Sequence, residues 1–499
     1  MKRTLLFAIC LFLAVHITTA QTKRPNIIFI FSDDHAYQAI SAYGSQLAQT
    51  PNIDRIAREG AIFNHAMVTN SICGPSRATL LTGKYSHKNG YPLNEQKFDV
   101  NQTLFPRLLQ QHGYQTAWIG KWHLGNLPQG FDYWKILPGQ GNYYNPDFIS
   151  KDDTTSIPGY VTNVISDLSF SWLNQRDTTR PFMLVIGEKA THREWLPDLQ
   201  DLGAYDDVTF PLPKTFHDDY KGRDAASHQD MTIDKTMRLT EDLKVHVDYT
   251  KGFYRRFTPE QQKPFAAYYD KITHEFDSLH LSGDALVQWK FQRYLKDYLA
   301  TARSLDRNIG RMLHYLDSTG LAENTVVIYA SDQGFYMGEH GWFDKRFMYE
   351  ESLRTPFMIR YPGVVKPGTK KDEFLLNIDW APGILDMAGV KAPADMQGRS
   401  FLPLLKNEKG WRDAMYYHYY EFPQPHHVSP HFGVRTAQYK LIRFYGAEHG
   451  WELFDMKKDP DELNNLYGKK GYEAITAKLQ AQLKQLILEY DDKDALKEL

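Results

Sequence analysis

Asn26-Ile27-Ile28-Phe29-Ile30-Phe31-Ser32-Asp33-Asp34-His35 sets the architecture of this chain. From Ile27 to Phe31 the run is apolar without alternation, the pattern of a strand buried on both faces, as in a parallel sheet covered by helices. It then stops on two adjacent carboxylates. Three later runs repeat the plan: 116–119 ends in Gly120-Lys121-Trp122-His123, 182–186 ends near Lys189 and His192, and 326–330 ends in Ser331-Asp332-Gln333-Gly334. Helical patterns at 52–60 and 104–113 lie between them, the second closing on Gly113 as a C-cap. Strands alternating with helices imply parallel pairing through right-handed crossovers. Open α/β sheets hold ligands outside the carboxyl ends of their strands, so the four polar motifs are expected to converge on one site.

Ser71-Ile72-Cys73-Gly74-Pro75-Ser76-Arg77-Ala78-Thr79-Leu80-Leu81-Thr82-Gly83 carries the one cysteine expected in the mature chain. The other, Cys10, falls in a leader: Met1-Lys2-Arg3, the apolar residues 5–17 and Thr18-Thr19-Ala20 are the parts of a secretory signal, with cleavage after Ala20. No later run is long and apolar enough to span a bilayer, so the chain reads as exported, periplasmic or secreted. A lone thiol in an exported chain asks for a reason, although free cysteine often serves as a small buried hydrophobe. Pro75 suits a first helical turn, which puts Cys73 at a helix N-terminus where free amides and the helix dipole favour anions. Arg77, one turn on, adds a fixed cation.

The segment Cys73-x-Pro75-Ser76-Arg77 with Ala78 to Gly83 resembles the signature of the type I sulfatases. The resemblance extends through Ser32 to His35, Gly120 to His123, Lys189-Ala190-Thr191-His192 and Ser331 to Gly334. It implies an alkaline-phosphatase-like α/β sandwich with a central, mostly parallel sheet and a smaller C-terminal α+β subdomain with a short antiparallel sheet. It further implies that a maturation enzyme converts Cys73 to formylglycine, and that the chain hydrolyses sulfate monoesters. A formylglycine hydrate can release sulfate by collapsing to the aldehyde, which a serine ester cannot do.

Adjacent Asp33 and Asp34 repel unless a cation neutralises them. With Asp332 and Gln333 they offer hard oxygen donors suited to Ca²⁺, or to Mg²⁺ in a more demanding geometry. Calcium is what the resemblance implies, with oxidised Cys73 completing the ligand set and Gln333 standing where many sulfatases carry Asn. By the same resemblance Arg77, Lys121 and Lys345 clamp the sulfate, with Arg346 a rival for the last role. His123 assists the formylglycine hydroxyl and His192 protonates the leaving alkoxide. Lys121 and His123, two residues apart, face one side if the chain there is extended. Lys189 either orients sulfate groups or pairs with Glu188, and His340 is expected beside the site. Arg193, His426, His427, His431 and Arg435 are expected to reach the sugar, with ordinary loop-capping histidines as the alternative.

The 499 residues are 42% hydrophobic, enough for a large core and two or more structural units. A net charge of -2 offers no electrostatic case for nucleic acid or an anionic membrane, so an anionic substrate must be held by a few placed cations. The region 195–320 reads as an insertion with two or three long helices. The strands 415–422, 433–436, 440–445 and 451–456 and a closing amphipathic helix at 472–490 mark a second unit. The expected organisation is a signal at 1–20, a catalytic domain at 21–400 and a subdomain at 401–499. Within the family the helical insertion and the segments 416–420 and 427–435 most resemble bacterial N-acetylglucosamine-6-sulfatases, which makes a sulfated carbohydrate the expected substrate. Phosphoester or phosphonate ester hydrolysis on a related fold, and non-catalytic binding of sulfated glycans, are the competing readings.

Overall fold

A computed structural model describes residues 24–94 and 96–499; the expected signal at 1–20 lies outside them. The first apolar run is the strand Asn26–Ser32, buried throughout, in the middle of a ten-stranded sheet. Across the sheet the order is Thr369–Lys371, Ala61–Phe63, Phe357–Arg360, Thr325–Ser331, Asn26–Ser32, Phe182–Gly187, Gln115–Lys121, Tyr133–Leu137, Asp147–Ile149 and Thr154–Ser156. The strands from Thr325–Ser331 to Tyr133–Leu137 are all parallel, and antiparallel strands flank them on both sides. Ser32 pairs with Ser331, and Phe31 and Gly120 both pair with Gly187, so the carboxyl ends of the four motif-bearing strands share one rim.

Alternate side chains of these strands feed two layers. Phe29, Phe31, Trp118, Val185 and Ile328 pack against the helices Cys73–Thr82, Phe105–Gln111 and Trp380–Met387. Ile28, Ile30, Ile119, Leu184 and Ile186 pack against Pro51–Arg58, Val161–Gln175 and Gly283–Ser318 on the other face. Each such side chain contributes about 1.5–3 kcal/mol by leaving water. The rim is therefore held rigidly from both sides.

The expected insertion is largely loops up to the helix Pro259–Leu279, which opens with a capping box between Thr258 and Gln261. The helix Gly283–Ser318 follows and lays Leu305, Ile309 and Met312 on the sheet. Its Tyr298 hydroxyl donates to the Asp34 carbonyl (2.6 Å) and accepts from the Ala36 N–H (2.8 Å), so the long helix also braces the acidic loop.

Near the C-terminus, Ala414–Tyr419, His431–Thr436, Tyr439–Phe444 and Gly450–Asp455 form an antiparallel sheet. The helix Glu473–Glu489 covers it with Leu479, Leu483 and Ile487, and Phe347, Met348 and Tyr349 join the same core. The small sheet is thereby packed against the segment that follows Lys345. Among the described residues no helix is long and apolar enough to cross a membrane.

Candidate active site

Tight backbone turns aim the polar residues off the strand ends. Gly120 has φ of +104°, and a β carbon there would lie 2.0 Å from the Gly187 carbonyl oxygen, so only glycine fits before Lys121. A β carbon on Gly334 would lie 2.1 Å from the Glu351 carbonyl oxygen, which accounts for the glycine after Asp332-Gln333. Asp34 itself holds φ of +61°. Such a backbone costs about 1–3 kcal/mol and persists only where its surroundings fix it. Here the Asp34 N–H donates to Asp332 Oδ1 (3.1 Å), and the Asp34 carbonyl accepts from Thr191 Oγ1 (3.0 Å) as well as from Tyr298.

Cys73 opens the helix Cys73–Thr82, all of it buried, with Pro75 in the first turn and Gly83 closing it at φ of +62°. The next amide, Gly74 N–H, donates to Asn94 Oδ1 (2.9 Å). Asp33, Asp34, Cys73 and His192 bring one donor atom each within 4.8 Å of one another. Cys73 Sγ is 4.0 Å from Asp34 Oδ1, and His192 Nε2 is 4.0 Å from Asp34 Oδ2. Around them stand three cations. Arg77 donates to Asp332 Oδ2 from Nε (3.2 Å) and Nη2 (2.9 Å), Lys121 Nζ donates to Asp33 Oδ2, and Lys345 Nζ lies 2.6 and 2.7 Å from the two oxygens of Asp34.

The charges crowd one another. Burial drives Asp332 up to about 7, with the Asp33 charge adding and Arg77 opposing. Burial also drives Asp34 up to about 6 against the pull of Lys345, while Asp33 adds to the rise. On Asp33 burial is outweighed by Lys121, His192, Arg77 and Lys345 together, which hold it well below the usual carboxylate range. A further cation is the partner that would let all three ionise. Burial pushes the Cys73 thiol well up, so an unaltered Cys73 stays protonated at neutral pH and is a poor nucleophile. His123 and His192 are both depressed, by burial first and then by Lys121.

Among the described residues, two buried oxygens in this cluster, Asp33 Oδ1 and Gln333 Oε1, have no hydrogen-bond partner. Gln333 Nε2 donates to Asp34 Oδ1, which turns its carbonyl oxygen outward from that bond. Unpartnered acceptor oxygens beside three carboxylates are the donor chemistry of a hard divalent cation. The residues present therefore fit the metal that the sequence leads one to expect.

Several expected roles change in the structure. His123 has φ of +57°, so the extended geometry expected between Lys121 and His123 is broken, and the two meet instead through Gln140. Lys189 Nζ donates to the Gln140 carbonyl (3.2 Å) over the Tyr143 ring, and no ion pair joins it to Glu188 among the described residues. Lys345 reaches Asp34, whereas Arg346 is taken up by Asp344 and by Glu421 (3.1 Å). His340 turns to Asp218 (2.7 Å).

The expected sugar contacts divide. His431 is fully buried, accepting from the Met348 N–H (3.0 Å) and donating to the Ser429 carbonyl (2.8 Å) among aromatic rings, so it supports the chain after Lys345 instead of facing a sugar. Arg435 is buried against Glu350 (3.0 Å) and is likewise structural. His427 is exposed beside Phe422, and Arg193, 21% exposed, is clamped by both oxygens of Asp242 (2.6 and 2.7 Å). His426, also expected at the sugar, instead pairs with Asp344 (2.9 Å), and sequence reasoning missed Gln140, Asn94 and Tyr298. Gln140 follows Tyr133–Leu137, the fifth parallel strand, whose Tyr-Trp-Lys-Ile-Leu leaves Tyr133 and Lys135 partly exposed and lacks the unbroken apolar signal of the other four.

Comparison with known proteins agrees with this geometry. The sulfatase family profile matches residues 25–390, and the profile "N-sulphoglucosamine sulphohydrolase, C-terminal" matches residues 338–489. The chain is 48% identical to an N-acetylglucosamine-6-O-sulfatase of Bacteroides thetaiotaomicron over 95% of its length and 88% of that relative. It is 27% identical to an ulvan-active sulfatase of Formosa agariphila over 95% of its length and 83% of the relative. A solved structure of a protein in complex with its substrate D-glucosamine-2-N,6-O-disulfate superposes with a TM-score of 0.93 at 47% identity, covering 95% of this chain and 99% of that one.

Proposed function

As the chain belongs to the sulfatase family and is a sulfuric ester hydrolase, we propose that its substrate is a 6-O-sulfated glucosamine, N-acetylated or N-sulfated, taken from exported glycan degradation. The observation that carries this reading is the 48% identity to an N-acetylglucosamine-6-O-sulfatase along nearly the whole chain. Asp33, Asp34, Asp332 and Gln333 would hold one divalent cation, calcium in this reading, which when bound supplies a Lewis acid beside residue 73. Residue 73 works as formylglycine, installed by a maturation enzyme, and its hydrate supplies the hydroxyl nucleophile that a buried thiol lacks.

The remaining steps fall to the chain's own side chains. An ammonium has three N–H groups; Lys121 gives one to Asp33 and one to Gln140, which leaves one for a sulfate oxygen. Arg77 and Lys345, each tied to a carboxylate, set two further positive charges at the place where the sulfate's negative charge must be held. His192 donates from Nδ1 to the Arg193 carbonyl (2.5 Å), so Nε2 is the atom that, once the ring has taken up a second proton, passes it to the departing sugar oxygen. Of the proposed sugar contacts, His427 stays open to solvent and Arg193, held by Asp242, is only partly so.

A panel of glucosamine 6-O-, 3-O- and N-sulfates, galactose 6-sulfate and glucosamine 6-phosphate, assayed with matured protein, tests the substrate. Release of sulfate chiefly from the glucosamine 6-O-sulfates is expected. Preference for another sulfate position, or for the phosphate ester, refutes it.

A further inference from the structure

We infer that Gln140 is a positioning residue that fixes the protonation pattern of His123 by locking it to Lys121. The inference rests on the reading of Lys121 and His123 as parts of the sulfatase site. Gln140 stands at the carboxyl end of Tyr133–Leu137, at the same rim as the four motif-bearing strands. Its side chain spans two groups: Oε1 accepts from Lys121 Nζ, and Nε2 is 3.1 Å from His123 Nε2. Its backbone carbonyl takes a third group, Lys189 Nζ, at 3.2 Å.

The chemistry of the donors fixes which way round this works. An ammonium only donates, so the amide face turned to Lys121 is the carbonyl oxygen and the face turned to His123 is the NH₂. An NH₂ only donates in turn, so His123 Nε2 accepts and the ring proton sits on Nδ1. His123 is thereby presented neutral, with its Nε2 lone pair directed toward the amide and the lysine beyond it. Nothing else in the described structure does this, because His123 Nδ1 is buried without a hydrogen-bond partner. Gln140 also consumes one of the three Lys121 protons, so the amide couples the direction of a sulfate-facing cation to the state of the imidazole.

Gln140→Glu separates this role from simple bracing of Lys121. A carboxylate still accepts from Lys121 but presents an acceptor to His123 Nε2 and so demands the opposite proton placement. We expect Gln140→Glu and Gln140→Leu to keep wild-type melting temperatures, to leave KM within about threefold, and to lose about tenfold or more in kcat. The loss should be equal on a sugar sulfate and on an activated aryl sulfate. In the double variant Gln140→Glu/His123→Ala it should add nothing to His123→Ala alone, the mark of two groups acting as one. Wild-type kcat in Gln140→Glu, or losses that multiply in the double variant, overturn the inference. Wild-type protein inactive on both esters would instead overturn the proposed function, so the two failures are distinguishable.

Discussion

Lys345 Nζ sits 2.6 and 2.7 Å from the two carboxylate oxygens of Asp34, a buried pair in which one partner belongs to the proposed sulfate clamp and the other to the acidic cluster. The ammonium thus does two things. It lowers the cost of three neighbouring carboxylates, and it sets a positive charge beside residue 73. Because Lys345 precedes Phe347 to Tyr349, which pack into the C-terminal core, the small subdomain holds one wall of the site in place.

Lys345→Ala removes both effects. Turnover should fall by about 10²- to 10³-fold, the scale for loss of one placed charge-stabilising donor. Unfolding in chelator should show a destabilisation of about 3–5 kcal/mol, as for a buried pair left half-made. Calcium should recover part of that stability but none of the turnover. Steady-state kinetics with thermal melts in chelator and in calcium check this, and an unchanged melt in chelator contradicts it.

Asp332→Asn keeps an acceptor for the Asp34 N–H and removes one charge from the cation site. A ligand that binds only the folded state stabilises it by RT ln(1 + [L]/Kd), about 2.7 kcal/mol at 100 times Kd. The wild type should therefore melt higher as calcium is added, and Asp332→Asn should show a much smaller rise with lost turnover. An equal calcium response in the two proteins counts against Asp332 as a ligand.

His192→Ala should discriminate between leaving groups. A sugar alkoxide needs a proton and a phenolate does not, so the variant should lose about 10²- to 10⁴-fold on a sugar sulfate and much less on an activated aryl sulfate. His123→Ala should lose equally on both. The reverse pattern would exchange the two roles.

A pH effect is expected away from the site. Burial drives Glu452 up to about 8 from its ordinary 4.5, while the Tyr349 hydroxyl (2.8 Å) and Arg223 oppose the rise. The folded state then holds a proton that the unfolded state releases, so this group's contribution is full below about pH 4.5 and is lost as the pH rises through about 8. Glu452→Gln keeps an acceptor for Tyr349 and cannot ionise. It should melt close to the wild type at about pH 5 and above it at about pH 8. Parallel melting curves for the two proteins across that range would show that the Glu452 carboxyl is not raised in the folded state.

Much of this was legible in the sequence because the strands that carry the chemistry are central. Asn26–Ser32 and Thr325–Ser331 are buried on both faces, so their composition is unbroken and their ends are sharp. Cys73 announced its helix through Pro75. The fifth strand, Tyr133–Leu137, lies nearer the sheet edge, alternates polar residues and so hid Gln140. His431 and Arg435 look like surface groups in the sequence because they are polar side chains in a short strand, whereas Met348, Ser429 and Glu350 satisfy them inside the core. Tyr298 was invisible for another reason: it lies 264 residues from Asp34, and only the tertiary fold brings them together.

On the proposed mechanism residue 73 acts as formylglycine. Peptide mass spectrometry of residue 73, run on preparations made with and without co-expressed maturation enzyme and set against the turnover of each, tests it most directly. Turnover proportional to the fraction of aldehyde or its hydrate, with none from preparations that are wholly thiol, is the predicted result. Full turnover from protein whose Cys73 is entirely unmodified would contradict it.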